Sequence, residues 1–196
     1  RLITEIAGHC HAIIYAGQPG PHGGKALYEL LTGQFNPSGR LPFTYPRHPN
    51  SLLTYDHKHS DSVGPDEQTP GFNPLYEFGH GLSYTSFTIS DLKLNSSTLT
   101  KEDDIILTVN VANTGSRKGK ETVDVFTRDL FATITPSVKR LRAFRQVELK
   151  PGEVKAVTLK IPVKELAYHG LDNSPVVEPG EFDVMVGDLT ERILIK

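Results

Sequence analysis

Cysteine is almost missing from this sequence: Cys10 stands alone, so no internal disulfide can form, and cysteine usage leaves the redox compartment open. No apolar run approaches the roughly 18 residues of a membrane span. Nor is there a block of one charge. Twenty-one basic residues face 23 acidic ones, a net charge of −2, and without a basic patch nucleic acid and anionic membrane surfaces are poor partners. The first residues carry no signal-peptide pattern, and tryptophan is absent.

What the sequence has in quantity is punctuation. Its 17 glycines and 14 prolines favour turns over long helices, in a chain of 196 residues that is ample for a buried core. Leu2, Ile3 and Ile6 sit at helical spacing and read as the end of a helix over residues 1–8. The apolar stretch 11–16 follows as a buried-type strand. A lone strand of that kind needs parallel neighbours on both sides, and this sequence does not supply them. Residues 1–48 are therefore expected to be the tail of a larger α/β domain whose body lies upstream.

Residues 17–24, GQPGPHGG, form a glycine-rich loop ahead of a helix over 25–32, in which Ala26, Leu27, Leu30 and Leu31 mark one face and Gly33 suits the C-terminal cap. Such a loop can hold a phosphate on free backbone amides. The spacing of Gly17, Gly20 and Gly23 is not that of the dinucleotide fingerprint, however, and no acidic residue ends a second strand about 20 positions on. A structural or sugar-site loop is the favoured reading, with nucleotide binding as the alternative. Asn36-Pro-Ser-Gly39 reads as a turn, and residues 41–45 as a short strand at a sheet edge between Pro42 and Pro46.

Residues 47–70 are the least regular, holding Arg47, His48, Tyr55, Asp56, His57, Lys58, His59, Asp61, Asp66 and Glu67. A loop of that length is usually functional or disordered. Asp56, His57, Lys58 and His59 form the one local cluster that could do chemistry, as hydrogen-bonding groups toward sugar hydroxyls or as a solvated loop. His57 and His59 lie two apart, without the i, i+4 spacing of helical zinc pairs or an evident third ligand, so no metal site is assigned.

The grammar changes across 71–87, GFNPLYEFGHGLSYTSF, where seven large apolar or aromatic side chains alternate with Gly71, Gly79 and Gly81. Such a segment packs on its neighbours on both sides. Beyond it, Ile105, Leu107, Val109 and Val111 alternate with polar residues, as do Val123 and Val125, then Val157, Leu159 and Ile161, then Phe182, Val184 and Val186. Turn signals stand between them, at Asn113-Thr-Gly115, Lys150-Pro-Gly152 and Glu178-Pro-Gly180. Half-buried strands separated by turns make a two-sheet sandwich. Lys139, Arg140, Arg142 and Arg145 crowd one stretch, read as a solvated strand face with a binding patch as the alternative.

Two runs, NPSGRLPFTYP at 36–46 and YEFGHGLSYT at 76–85, resemble the C-terminal region of glycoside hydrolase family 3, the β-glucosidases and β-xylosidases. The resemblance extends from about Ala12 to Val186. It implies an α/β (parallel-sheet) sandwich tail over 1–48, a connector packing on both domains over 49–86, and an all-β immunoglobulin or fibronectin type III-like sandwich over 87–196. VEPGEFDVMVG at 177–187 resembles that sandwich's closing strands.

Retaining hydrolysis needs two carboxyl groups about 5 Å apart, one attacking the anomeric carbon and one protonating the leaving oxygen. The family carries both on earlier domains, and neither motif occurs here, so the resemblance implies no catalytic residue in these 196. It implies instead a piece of an exo-acting β-glycosidase whose partners are its own upstream barrel and α/β domains and a β-glucoside or β-xyloside substrate. No cofactor and no metal are implied, and a homodimer remains open. Related enzymes carry a Tyr-x-His-Lys run in this connector, which makes Tyr55, Asp56, His57 and Lys58, with His22 of the glycine-rich loop, the candidate edge of the substrate pocket. Here Ser60-Asp61 stands where many of them continue with Gly-Arg. An extracellular or periplasmic location is implied by the family alone. The reading of a different class is a free-standing carbohydrate-binding or adhesion module, against which stand the missing tryptophan platform and the half-domain look of 1–48.

Overall fold

The computed structural model describes residues 2–62 and 71–196. Asp66 and Glu67 lie outside the described residues, as does Arg1.

Ten strands carry the second half of the chain. In order they are β1 (Phe87–Leu94), β2 (Thr98–Leu99), β3 (Asp104–Asn113), β4 (Gly119–Asp129), β5 (Arg140–Leu149), β6 (Val154–Pro162), β7 (Tyr168–His169), β8 (Pro175–Val176), β9 (Gly180–Val186) and β10 (Leu189–Ile195). One antiparallel sheet runs β1-β3-β6 and a five-stranded sheet runs β2-β10-β9-β4-β5, with β7 and β8 as a separate two-stranded ribbon. The larger sheet is mixed, because β2 pairs with β10 in parallel while its other pairs are antiparallel.

Alternation puts the core between the two sheets. Ile105, Leu107, Val109 and Val111 of β3 and Val123 and Val125 of β4 are fully buried, because successive residues of a strand face opposite sides. Val157, Leu159 and Ile161 of β6 meet Phe182, Val184 and Val186 of β9 in the same cluster. Leu149, Ile193 and Ile195 complete it from β5 and β10. A 3₁₀ turn at Val163–Leu166 closes one end with Val163 and Leu166. β1 bulges between Ser90 and Lys93. Asp91 takes a left-handed φ of 58° there, and its carboxylate accepts hydrogen bonds from Ser90 Oγ at 2.8 Å and Asn110 Nδ2 at 2.9 Å.

The first half is built differently. Helix α1 is a single turn, Thr4–Ala7, and α2 runs Gly23–Leu31, entered through a 3₁₀ turn at Gly20–His22. Gly33 follows α2 at φ 73° and its amide donates to Leu30 O, the left-handed C-terminal stop expected of it. Residues 11–16 form no ladder among the described residues and are exposed, unlike the buried strand expected there. The cause is the one the sequence itself announces: a strand without a neighbour has no partner for its amides and carbonyls. Residues 41–45 likewise form no strand, and only Tyr45 makes a bridge, to Tyr76. Gly23 apart, every buried residue of the described chain lies from Leu92 onward.

The core therefore sits in the sandwich and sets its stability. Leu107→Ala, which empties a fully buried site, is expected to cost about 2–5 kcal/mol in urea unfolding. Ile106→Ala, one residue before it and facing outward at 40% exposure, is expected to cost less than about 1 kcal/mol. Equal losses would mean that the alternation does not define the core.

Candidate functional site

The expected turn at Asn36-Pro-Ser-Gly39 is not formed. Its polar groups are satisfied across the chain. Asn36 Oδ1 accepts from Ser83 Oγ at 2.9 Å and from the Tyr84 amide at 2.8 Å, while its Nδ2 donates to Lys118 O at 3.0 Å. One amide side chain thus ties the α2 exit, the connector and the start of β4 together. Four residues on, Arg40 Nη2 meets Glu121 Oε2 at 2.7 Å, with the two side chains 16% and 14% exposed. Gly81 packs against this segment so closely that a Cβ would lie 2.4 Å from Gly39 O, so it is required for close approach; Gly79, at φ 82°, is required for its backbone angle.

Backbone bonds then run the connector alongside 41–45. The Leu41 amide donates to His80 O, the Gly79 amide to Leu41 O, and the Tyr45 amide to Tyr76 O. Rings continue the contact, from Tyr15 to Phe43, Tyr45, Tyr76 and His80, each pair with centroids 4.8–6.2 Å apart.

The predicted pocket-edge residues are set on the outer face of the five-stranded sheet. Tyr55 stacks on Phe78 at 4.4 Å and meets the edge of Phe126 of β4 at 5.9 Å, and its hydroxyl accepts from the Leu141 amide at 3.4 Å. Asp56 accepts from Thr54 Oγ1 at 2.5 Å. The His57 ring stacks on Phe72 at 4.0 Å, with Nδ1 3.0 Å from Thr54 O. Lys58 bridges to Ser137, the Val138 amide donates to His57 O at 2.9 Å, and Lys58 Nζ donates to Thr135 O at 2.5 Å. Residues 55–58 are therefore held together as one half-buried edge. His22 is not part of it: it is exposed at the mouth of α2, and no hydrogen bond or ring contact joins it to 55–58 among the described residues. Among the described residues, no group of three or more His, Cys, Asp or Glu side chains is placed to hold a metal ion.

Sequence reasoning missed a cavity beside this edge. Lys58, Thr127, Asp129, Ser137, Arg140 and Arg142 are among the residues that line it, with a volume of about 240 Å³. Burial, reinforced by the neighbouring Arg140 charge, lowers the Arg142 pKa. Burial raises that of Asp129 despite the Phe131 amide that bonds it. The crowding of basic residues at 139–145 was the available signal, and it was read as a strand face, as β5 is; the break in the β4-β5 register that gathers Arg140 and Arg142 at the cavity was not legible.

Two family models match the chain: the glycosyl hydrolase family 3 C-terminal domain over residues 2–84 and the fibronectin type III-like domain over residues 121–190. A periplasmic β-glucosidase of Salmonella typhimurium is 34% identical over 93% of this chain and 25% of its own length. A lysosomal β-glucosidase of Dictyostelium discoideum is 35% identical over 95% of this chain and 23% of its own. Among solved structures, a β-glucosidase from Erythrobacter marinus superposes with a TM-score of 0.91 at 35% identity, covering 97% of this chain and 26% of that one. The chain spans about a quarter of the length of the curated relatives it matches.

The charges at the Arg40 clamp give a pH-dependent prediction. Burial raises the Asp124 pKa and Glu121 raises it further, while Arg40 opposes both. A carboxyl with a raised folded pKa favours its protonated form in the fold, so its ionisation opposes folding once the pH passes the unfolded value of about 3.9. Asp124→Asn is expected to stabilise the protein at pH 7, with the gain vanishing below that value, in urea titrations at a series of pH values. Glu121→Gln is expected to cost about 2–3 kcal/mol at pH 7, because it leaves a largely buried guanidinium short of its counter-ion.

Proposed function

The chain belongs to glycoside hydrolase family 3, and from that premise we propose that it serves as the C-terminal part of an exo-acting β-glycosidase that removes terminal β-D-glucosyl or β-D-xylosyl residues with retention. Two carboxyl groups about 5 Å apart carry such a reaction. In this reading they belong to barrel and α/β domains of the same polypeptide outside these 196 residues. The organisation proposed is an α/β tail over 1–48, a connector over 49–86 and a bracing sandwich over 87–196.

The observation that carries the reading is the uncovered apolar surface of the first segment. Ile6, Tyr15, Tyr28, Leu31 and Phe35 are each 48–69% exposed, and side chains of that size left in water mark a face that another surface covers. Further chain of the same enzyme is the proposed cover. A second copy of this chain, giving a homodimer, is the other surface that this face admits. The enzyme would work outside the cytosol, in keeping with the periplasmic and lysosomal names of two relatives.

The half-buried edge at 55–58 then borders the sugar pocket. Asp56 and Lys58 offer charged hydrogen-bonding groups to hydroxyls, and the His57 ring is fixed in orientation by Phe72. No group here attacks or protonates the glycosidic bond; the part played is binding and orientation.

The complete polypeptide carrying this sequence is expected to release glucose or xylose from the matching p-nitrophenyl β-glycoside. Turnover of neither would overturn the assignment. In that enzyme, Asp56→Ala combined with His57→Ala is expected to lower kcat/KM about tenfold, near 1.4 kcal/mol of lost binding, chiefly through KM. Unchanged kinetics on aryl and disaccharide substrates would remove residues 55–58 from the pocket edge.

A further inference from the structure

The cavity between the connector and the sheet edge goes beyond glycoside hydrolysis. Its position follows from a fault in the β4-β5 ladder. Val125 pairs with Ala143 and Phe126 with Leu141, so Arg142 is an extra residue without a ladder partner. A bulge of this kind bends the strand and re-aims a side chain. Here it turns the Arg142 guanidinium onto Thr127 Oγ1, which accepts from Nε at 3.0 Å, and onto the carbonyls of Glu165 and Leu166 at the closing 3₁₀ turn.

All three of these acceptors are neutral. A guanidinium has five N–H donors, so two remain, and among the described residues no carboxylate lies within ion-pair distance of Arg142 or of Arg140. Asp129 shares the cavity without closing such a pair. Arg140 stands two positions away on the same strand, and its side chain makes no hydrogen bond among the described residues. Lys58, already donating to Thr135 O, adds a third cation from the connector side. Three cations and one carboxylate line these 240 Å³; Glu165 acts on Arg142 and Glu178 on Asp129 from outside the lining, and neither closes an ion pair with Arg140 or Arg142 among the described residues. An unpaired charge costs most where water is partly excluded, which here is at half-buried Arg142 rather than at exposed Arg140.

We propose that this cavity binds a small oxyanion, a carboxylate or phosphate group, through Arg140 and Arg142 with Lys58 at its rim. Arginine's planar fork matches both groups in a two-point contact. The volume lies below the roughly 300–1,000 Å³ of drug-sized sites, which limits the bound molecule to inorganic phosphate or a single acidic sugar. Tyr168 and His169 of β7 line the same space and offer ring and hydrogen-bonding surface to the remainder of such a sugar. The site lies on the sandwich side of the connector, and the proposal does not depend on catalysis.

Isothermal titration of the full chain with inorganic phosphate, D-glucuronate and D-glucose at fixed ionic strength tests this. Saturable millimolar binding of phosphate, glucuronate or both is expected, and any binding of glucose, which belongs to the sugar pocket proposed above, is expected to be unchanged in the Arg140 variant; which anion saturates identifies the source of the oxyanion. Arg140→Gln, at an exposed side chain that makes no hydrogen bond or ion pair among the described residues, is expected to weaken binding about tenfold, the loss of one charge-assisted hydrogen bond. Lys58→Gln is expected to weaken it less, and an unchanged unfolding midpoint shows that either variant keeps the fold. Absence of saturable binding for both anions, or anion affinities that neither variant changes, would each overturn the proposal.

Discussion

The Arg40–Glu121 ion pair is the constraint on which the joining of the two halves depends. Taking a guanidinium and a carboxylate largely out of water is costly unless each finds the other, and these two charges lie 81 positions apart in the chain. Once they meet, the segment from Asn36 to Leu41 has one place to lie. Asn36 can then bond Ser83, Tyr84 and Lys118 at once, and Gly81 must be bare of a side chain for the backbones to pass. The rows of backbone bonds between 41–45 and 75–80 follow from that placement.

The sandwich offers an outer face as well as an inner one. Along β4, Val123 and Val125 face the core, while Asp124 and Phe126 are turned toward the connector. Asp124 lies in the field of the Arg40 clamp, and Phe126 receives Tyr55 and Phe78. The all-β half is thus a platform on which an irregular loop becomes a defined edge. Residues 55–58 need no regular structure of their own, since the backbone of 137–138 and the ring of Phe72 hold them.

Much of the sandwich was legible because a period of two is a strong signal wherever one face of a strand is buried. β3, β4, β6 and β9 fall where the alternating valines, leucines and isoleucines put them. β5 was read only as a basic strand face, and the bulge at Arg142 that breaks its register was not legible. In the first half, the α2 face and the Gly33 stop were legible because both are local. The strands expected at 11–16 and 41–45 were not found, since apolar runs mark burial potential and a ladder needs a partner. The turn expected at Asn36-Pro-Ser-Gly39 failed for a related reason: its turn-forming residues bond to groups far away in sequence.

The sequence by itself determined the sandwich, the helix that precedes it and the family, because periodicity, capping and long motifs are written in neighbouring residues. Only the tertiary structure decided that Tyr55, Asp56, His57 and Lys58 form one edge without His22, and that Arg140 and Arg142 share a cavity with Lys58. Those groupings join residues up to about 80 positions apart through burial, ring stacking and a ladder bulge. No local pattern encodes which distant groups will share a desolvated space.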